Sequence, residues 1–234
     1  WFIAIHLLTS TKKSFSAAEL QRQLGHKRYE PIWTLLHKLR EIMGKRDEMY
    51  SLSGVIELDE GFFSTETPDE EKKKPLKRGR GSQKKSKVLV MAESQPVEGQ
   101  TTKTGKPRQV GHIKMIVIND LKSATITSLV ENNVTKESTI DSDDSTSYVK
   151  LKDIVKEHRP QVIPKQEIGK VLPWVHIAIS NAKRMLLDIY HDIKPEYLQN
   201  YLNEFCYKFN RRYFGENLFD RLMIASVTYK NQFR

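Results

Sequence analysis

The hydrophobic period of this 234-residue chain first changes near Ser53, and that change constrains the fold more than any composition figure. Before it, apolar residues recur at helical intervals. Ile32, Leu35, Leu36, Leu39 and Met43 line one face of a segment running from about residue 28 to 43. A shorter helix over 17–24 is signalled by Ser16 with Glu19 three residues later, a capping-box spacing, and is ended by Gly25. The second helix carries Lys27, Arg28, His37, Lys38 and Arg40 away from its apolar stripe. Helix, glycine turn and basic helix predict a small all-α, helix-turn-helix-like DNA-binding segment over 1–48, although an ordinary helical bundle satisfies the same periodicity.

After Ser53 three short runs rich in β-branched residues, 55–58, 88–91 and 113–118, predict strands. Residues 65–87 form a charged, turn-rich loop between the first two, and nine of the 16 positions from 72 to 87 are Lys or Arg. Lys77, Arg78, Arg80, Lys84 and Lys85 make this a basic arm suited to a phosphate backbone; a solvated loop has the same composition. A polar loop over 94–111 joins strands two and three as a long hairpin. Beyond it, 121–131 reads as a weak amphipathic segment and 138–140 as a fourth strand. Residues 145–157 read as a helix with Tyr148, Leu151 and Val155 on one face, and 172–177 as a fifth strand. A helix over 180–190 and a last one from about 195 to 212 follow. The order predicts an α/β domain over 53–234, a sheet covered by helices.

Lys and Arg number 39 against 29 Asp and Glu, a net charge of +10 that fits a nucleic-acid partner; a basic solvated surface gives the same figure. No apolar run approaches the roughly 18 residues that span a bilayer, so no membrane role is expected. The single Cys206 leaves no internal disulfide and no thiolate metal site, which fits a reducing, cytoplasmic setting. The chain begins at Trp1 with neither an initiator Met nor a signal-peptide pattern, and reads as a piece of a longer protein.

Phosphodiester chemistry assisted by metal ions needs hard oxygen ligands brought together on rigid elements. Three segments offer them: Asp59 in Val55-Ile-Glu-Leu-Asp59-Glu60, Asp143 in Thr139-Ile-Asp-Ser-Asp143-Asp144, and Asn181 in the run Ser180-Asn181-Ala-Lys183, 84 and 38 positions apart. Each has a plainer reading. Asp59 and Glu60 end a strand at the surface, one of Asp141, Asp143 and Asp144 caps the next helix, and Asn181 caps its own. On a helical wheel Arg184 and Asp188 share the face of Asn181 while Lys183 points away, so Arg184 is a candidate phosphate contact and Asp188 a rival candidate ligand. Lys183 reaches DNA near the helix start.

These blocks resemble the bacterial insertion-sequence transposases of the DDE superfamily, in the group with Asn in third place. Ile56-Glu-Leu-Asp59-Glu-Gly-Phe-Phe63 is similar to that group's first-aspartate segment. Lys77 to Lys85, followed by Val88-Leu-Val-Met-Ala-Glu-Ser94, resembles its basic loop and second strand. Asp143 with Tyr148 five residues on, His176 to Lys183, and Tyr201 to Arg212 resemble its later blocks in order. The helical stretch from Ser16 to Gly25 with Trp33 resembles the domain ahead of the catalytic core.

The resemblance implies a ribonuclease-H-like mixed sheet flanked by helices. It implies hydrolysis of transposon ends and attack of the freed 3′-hydroxyl on target DNA, with two Mg²⁺ (or Mn²⁺) ions. Asp59, Asp143 and Asn181 are then the catalytic metal ligands. The neutral Asn181 stands where the wider superfamily has glutamate, so the second ion is held more weakly and Glu204 is a candidate to compensate. The implied partners are double-stranded DNA, at transposon ends and target, and a second copy on that DNA, at the nucleoid. The group's N-terminal zinc ribbon does not occur in these residues. A catalytically inactive DNA-binding descendant, or a junction nuclease on the same fold, shares these features. His176 either orients a ligand or is a buried strand-end histidine. Cys206 and the aromatic cluster of Phe205, Tyr207, Phe209, Tyr213 and Phe214 are expected in the core.

Overall fold

The computed structural model describes residues 1–73, 75–79, 82–97, 107–162, 171–190 and 192–233. These fall into two units: Tyr50–Asn181, and Trp1–Met49 together with Ala182–Arg234. The helical segment expected over 1–48 is thus completed by the last helices of the chain, which the sequence reading placed with the sheet. No helix among the described residues is long and apolar enough to cross a membrane.

In the sheet unit, β1 (Val55–Ser64), β2 (Lys85–Pro96), β3 (Arg108–Ile118), β4 (Thr139–Asp143) and β5 (Glu157–Gln161) form one mixed sheet in the order β3-β2-β1-β4-β5. β1, β2 and β3 pair antiparallel, and β4 and β5 run parallel to β1. Helix α4 (Ser123–Asn133) packs Ile126 and Val130 against Ile56 and Leu58 of β1, Leu89 and Met91 of β2 and Ile140 of β4. A 3₁₀ segment, Thr146–Asp153, adds Tyr148 and Leu151 to that core where a longer α-helix over 145–157 was expected. Helix α5 (Pro173–Ile189) starts on the other face of β1. This is the ribonuclease-H-like mixed sheet flanked by helices that the resemblance implies.

Two assignments change. Residues 172–177 are not the fifth strand but the start of α5, with Pro173 in the first turn, where its missing N–H is no loss. The alternating Val175, Ile177 and Ile179 imitate a strand pattern. The true fifth strand, Glu-His-Arg-Pro-Gln, is polar and almost wholly exposed, an edge position where Pro160 is tolerated.

In the helical unit, α1 (Phe2–Ser10), α2 (Ala17–Leu24), α3 (Glu30–Glu48), α6 (Leu198–Asn210) and α7 (Asn217–Thr228) share a core that includes Ile5, Leu20, Leu36, Leu39, Tyr207 and Leu222. The cap of α2 is as expected: Ser16 Oγ accepts from Glu19 N at 3.1 Å, and Gly25 closes the helix at φ +60°. Helix α3 passes through Gly44 because that glycine serves packing. A Cβ there would collide with the Asn203 side chain of α6. The expected basic face of α3 is smaller than it reads, since His37 and Arg40 are buried. Arg40 Nε donates to Glu204 Oε2 at 2.9 Å and its Nη2 donates to the Tyr190 hydroxyl at 2.6 Å. Trp33, Tyr197, Tyr201 and Phe233 surround His37, and burial lowers its pKa to about 3. Phe205, Cys206 and Tyr207 are core as expected, but Tyr213 and Phe214 are exposed.

Candidate active site

Strand alternation sorts the acidic residues. Ile56 and Leu58 enter the core beneath α4, so Glu57, Asp59 and Gly61 face the opposite way, toward α5. On β4, Ile140 enters the same core, and Asp141 and Asp143 therefore share the face of Glu57 and Asp59. The parallel register pairs Glu57 with Asp141 and Leu58 with Ser142. Asp59 and Asp143 are the next residues on strands roughly 4.8 Å apart. Two rungs of carboxylates thus stand side by side, Glu57–Asp141 and Asp59–Asp143.

Asp59 is not the surface strand end that its position in the sequence allowed. It lies mid-strand with 19% of its side chain exposed. Its Oδ1 accepts from Glu60 N at 2.7 Å, and its Oδ2 lies 3.7 Å from His176 Nδ1. Burial holds the His176 imidazole below its usual range, and its buried Nε2 has no hydrogen-bond partner among the described residues. His176 is therefore a helical residue over Asp59 and not a strand-end histidine. Glu60 points to the other face, toward Tyr148. Burial, reinforced by the charges of Glu60, Asp59 and Asp143, keeps the Tyr148 phenol protonated.

The alternatives to Asp143 have other environments. Asp141 lies 4.0 Å from Arg159 of β5 and in register with Glu57, while Asp144 is exposed beyond the strand. None of the three is the helix cap: Ser145 Oγ accepts from Ser147 N at 3.3 Å. Asn181 is not a cap either. It sits within α5, about 7.5 Å along the axis from His176, and its half-exposed side chain has no hydrogen-bond partner among the described residues. Asp188 is paired with Lys13 at 3.2 Å. Glu204 is wholly buried between Arg40 and Lys208, each 2.9 Å away, so its carboxylate is committed to the helical core.

Lys77, Arg78, Lys84 and Lys85 are exposed, and Arg184 is exposed on α5 with Lys183 half-buried. Arg80 lies outside the described residues. Gln83 closes the arm by accepting from Lys77 N and donating to Pro75 O, both at 2.9 Å. Among the described residues no group of three or more His, Cys, Asp or Glu is disposed to hold a metal ion. The expected ligands Asp59, Asp143 and Asn181 are two carboxylates and an amide, hard oxygen donors of the kind that Mg²⁺ and Mn²⁺ accept.

Sequence reasoning missed Glu57, whose Oε2 accepts from Trp174 N at 2.7 Å and Val175 N at 3.1 Å. Burial pushes its pKa up to about 7, the two amides pulling it back and Asp141 adding to the rise. The available signal was a charged residue inside an apolar strand run, which is rarely buried without a partner.

Comparison with known proteins agrees with the blocks read in the sequence. The model of the ISXO2-like transposase domain matches residues 51–210. No curated protein matches the chain in sequence. Among solved structures, a pre-cleavage Mos1 transpososome is similar at 10% identity and a TM-score of 0.36, covering 93% of this chain and 80% of that one. The Mos1 mariner paired-end complex with Mn is similar at 13% identity and the same TM-score, covering 92% and 79%. With 160 consecutive residues matched, from the start of the sheet unit to the end of α6, the chain belongs to the ISXO2-like transposase domain family of the DDE superfamily.

Proposed function

We propose that the chain is the catalytic region of an active transposase that cuts DNA at transposon ends and joins them to target DNA. The observation that carries this reading is that Asp59 and Asp143 follow the paired residues Leu58 and Ser142 on adjacent parallel strands, with Asn181 farther along the helix whose first turn is held by β1. Asp59, Asp143 and Asn181 would hold the divalent metal, Mg²⁺ or Mn²⁺. Bound there, two such ions supply charge neutralisation and polarisation at the attacked phosphate. The two aspartates fix the position of that phosphate on a rigid sheet, and the neutral Asn181 contributes an oxygen without charge.

In the first step water attacks phosphorus at the transposon end, a P–O bond breaks, and the 3′-hydroxyl leaves with a proton. In the second that 3′-hydroxyl attacks a target phosphodiester, forming a new P–O bond and releasing a target 3′-hydroxyl. Lys77, Arg78, Arg80, Lys84 and Lys85 with Lys183 and Arg184 track the DNA backbone, releasing counterions as they neutralise phosphates. On this reading two copies bring the two ends together, and the work takes place at the bacterial nucleoid.

The test is nicking of DNA bearing the element's terminal repeats, with the full chain and Mg²⁺ or Mn²⁺. Asp59→Ala and Asp143→Ala should each lower the rate at least about 10³-fold, roughly 4 kcal/mol of transition-state stabilisation. Unchanged nicking overturns the site. DNA binding with no metal-dependent cleavage by the parent chain identifies an inactive DNA-binding descendant instead.

A further inference from the structure

Glu57 sits in the middle of β1, two residues before Asp59, and is only 4% exposed. The N–H groups in the first turn of a helix have no partner within it and are usually capped by the residue just before the helix. For α5 that neighbour is Leu172, an apolar side chain that cannot accept. The acceptor comes instead from the central strand, 117 positions away in sequence: one Glu57 oxygen takes both Trp174 N and Val175 N. A second point of contact lies on the far side of Asp59. A Cβ on Gly61 would meet Phe63 Cε2 at 2.8 Å and Ile179 Cγ1 at 3.4 Å, so α5 rests there on bare backbone.

Glu57, Asp59 and Gly61 are successive residues of one strand face. The helix is therefore pinned to β1 on both sides of the aspartate, and His176, between the two pins, meets Asp59. The choice of a carboxylate is costly for stability alone, because it is buried in register with Asp141, a like charge. An apolar side chain at 57 with a serine or aspartate at 172 would cap the helix more cheaply. It would leave α5 free to slide along the strand.

We propose that Glu57 is a positioning residue for the transposase reaction: its grip on the first turn of α5 sets the axial register of that helix on β1, and so the placement of His176 and Asn181 relative to Asp59 and Asp143. The inference rests on the site reading given under Proposed function.

Three variants of the full chain test it: Glu57→Gln, Glu57→Asp and Glu57→Ala, with Asp59→Ala as control. Gln keeps a side-chain carbonyl at the same reach and should preserve slow hydrogen exchange at Trp174 and Val175, with nicking within about threefold of the parent. Asp is one methylene short and Ala has no acceptor. Both should lose that protection, and nicking should fall at least about tenfold at unchanged DNA affinity, since a misplacement near 1 Å costs up to roughly 10²-fold. Mn²⁺ binding followed by electron paramagnetic resonance without DNA should weaken in Glu57→Asp and hold in Glu57→Gln. Should Glu57→Ala fail to fold, the Gln and Asp pair carries the comparison.

Loss of amide protection with parental nicking and Mn²⁺ affinity in Glu57→Asp overturns the inference. So does a Gln variant as impaired as the Asp variant, which would make charge the requirement and not reach. If Asp59→Ala still nicks, the site reading itself has failed; if Asp59→Ala is dead and Glu57→Asp is not, only the role of Glu57 has failed.

Discussion

Glu204 in the helical unit and Glu57 in the sheet unit are both buried carboxylates, and they are held in opposite ways. Burial alone would raise both. Glu204 lies between Lys208 and Arg40, and their positive charges pull it down to about 2. Glu57 has two backbone amides for partners and a second carboxylate in register, and it rises to about 7. The first is a closed ionic network inside a helical core, with Arg40 also stacked over Tyr201 at 4.5 Å. The second is an acceptor placed among acids on the face that carries Asp59. The difference teaches where to look for function: a buried charge fully matched by opposite charge explains itself, while one set beside its own kind needs a reason beyond stability.

The comparison breaks most easily at Arg40. Removing one partner of a buried pair leaves the other uncompensated, so Arg40→Ala should cost about 3–5 kcal/mol of stability in a denaturant titration. A cost below about 1 kcal/mol would mean that Glu204 is not held by charge.

Acid sharpens it next. Glu204, depressed from 4.5, contributes stability present above pH 4.5 and lost as pH falls toward 2. His37, depressed from 6.5 to about 3, stays neutral in the fold while the unfolded chain takes up a proton, so its contribution is lost as pH falls from 6.5 toward 3. Glu57 has the opposite sign: raised to about 7, it favours the fold as pH falls from 7 to 4.5. Metal-free protein should therefore lose hydrogen-exchange protection in α3 and α6 before β1 on acidification. The reverse order would overturn the contrast.

The smallest expected effect is at Asn181. If Asn181 is a ligand, as proposed, Asn181→Asp adds a charge there and should tighten Mn²⁺ binding about tenfold, ligand charge being a main control of affinity. An unchanged titration would remove Asn181 from the ligand set.

Much of this was legible in the sequence, for local reasons. The strand runs around Val55, Val88 and Ile113 carry their own periodicity, and the Ser16 cap and Gly25 stop of α2 are written within ten residues. The blocks around Asp59 and Asp143 are specific to the family whose model matches residues 51–210. What was not legible depends on partners remote in the chain. Val175, Ile177 and Ile179 alternate like a strand, and only the distant Glu57 acceptor shows them to be the first turns of a helix. Arg40 and His37 read as a basic surface until Glu204 and the aromatic residues around them are in place. β5 has no apolar residue to announce it, and the register that puts Asp59 beside Asp143 belongs to neither segment alone.

That same strand β5 has a further consequence. It closes one side of the described sheet with His158, Arg159 and Pro160, two bulky polar side chains and a residue that has no N–H to offer. An incoming strand from another molecule finds a broken ladder there. Copies that meet at this edge are thereby kept from joining their sheets into an aggregate.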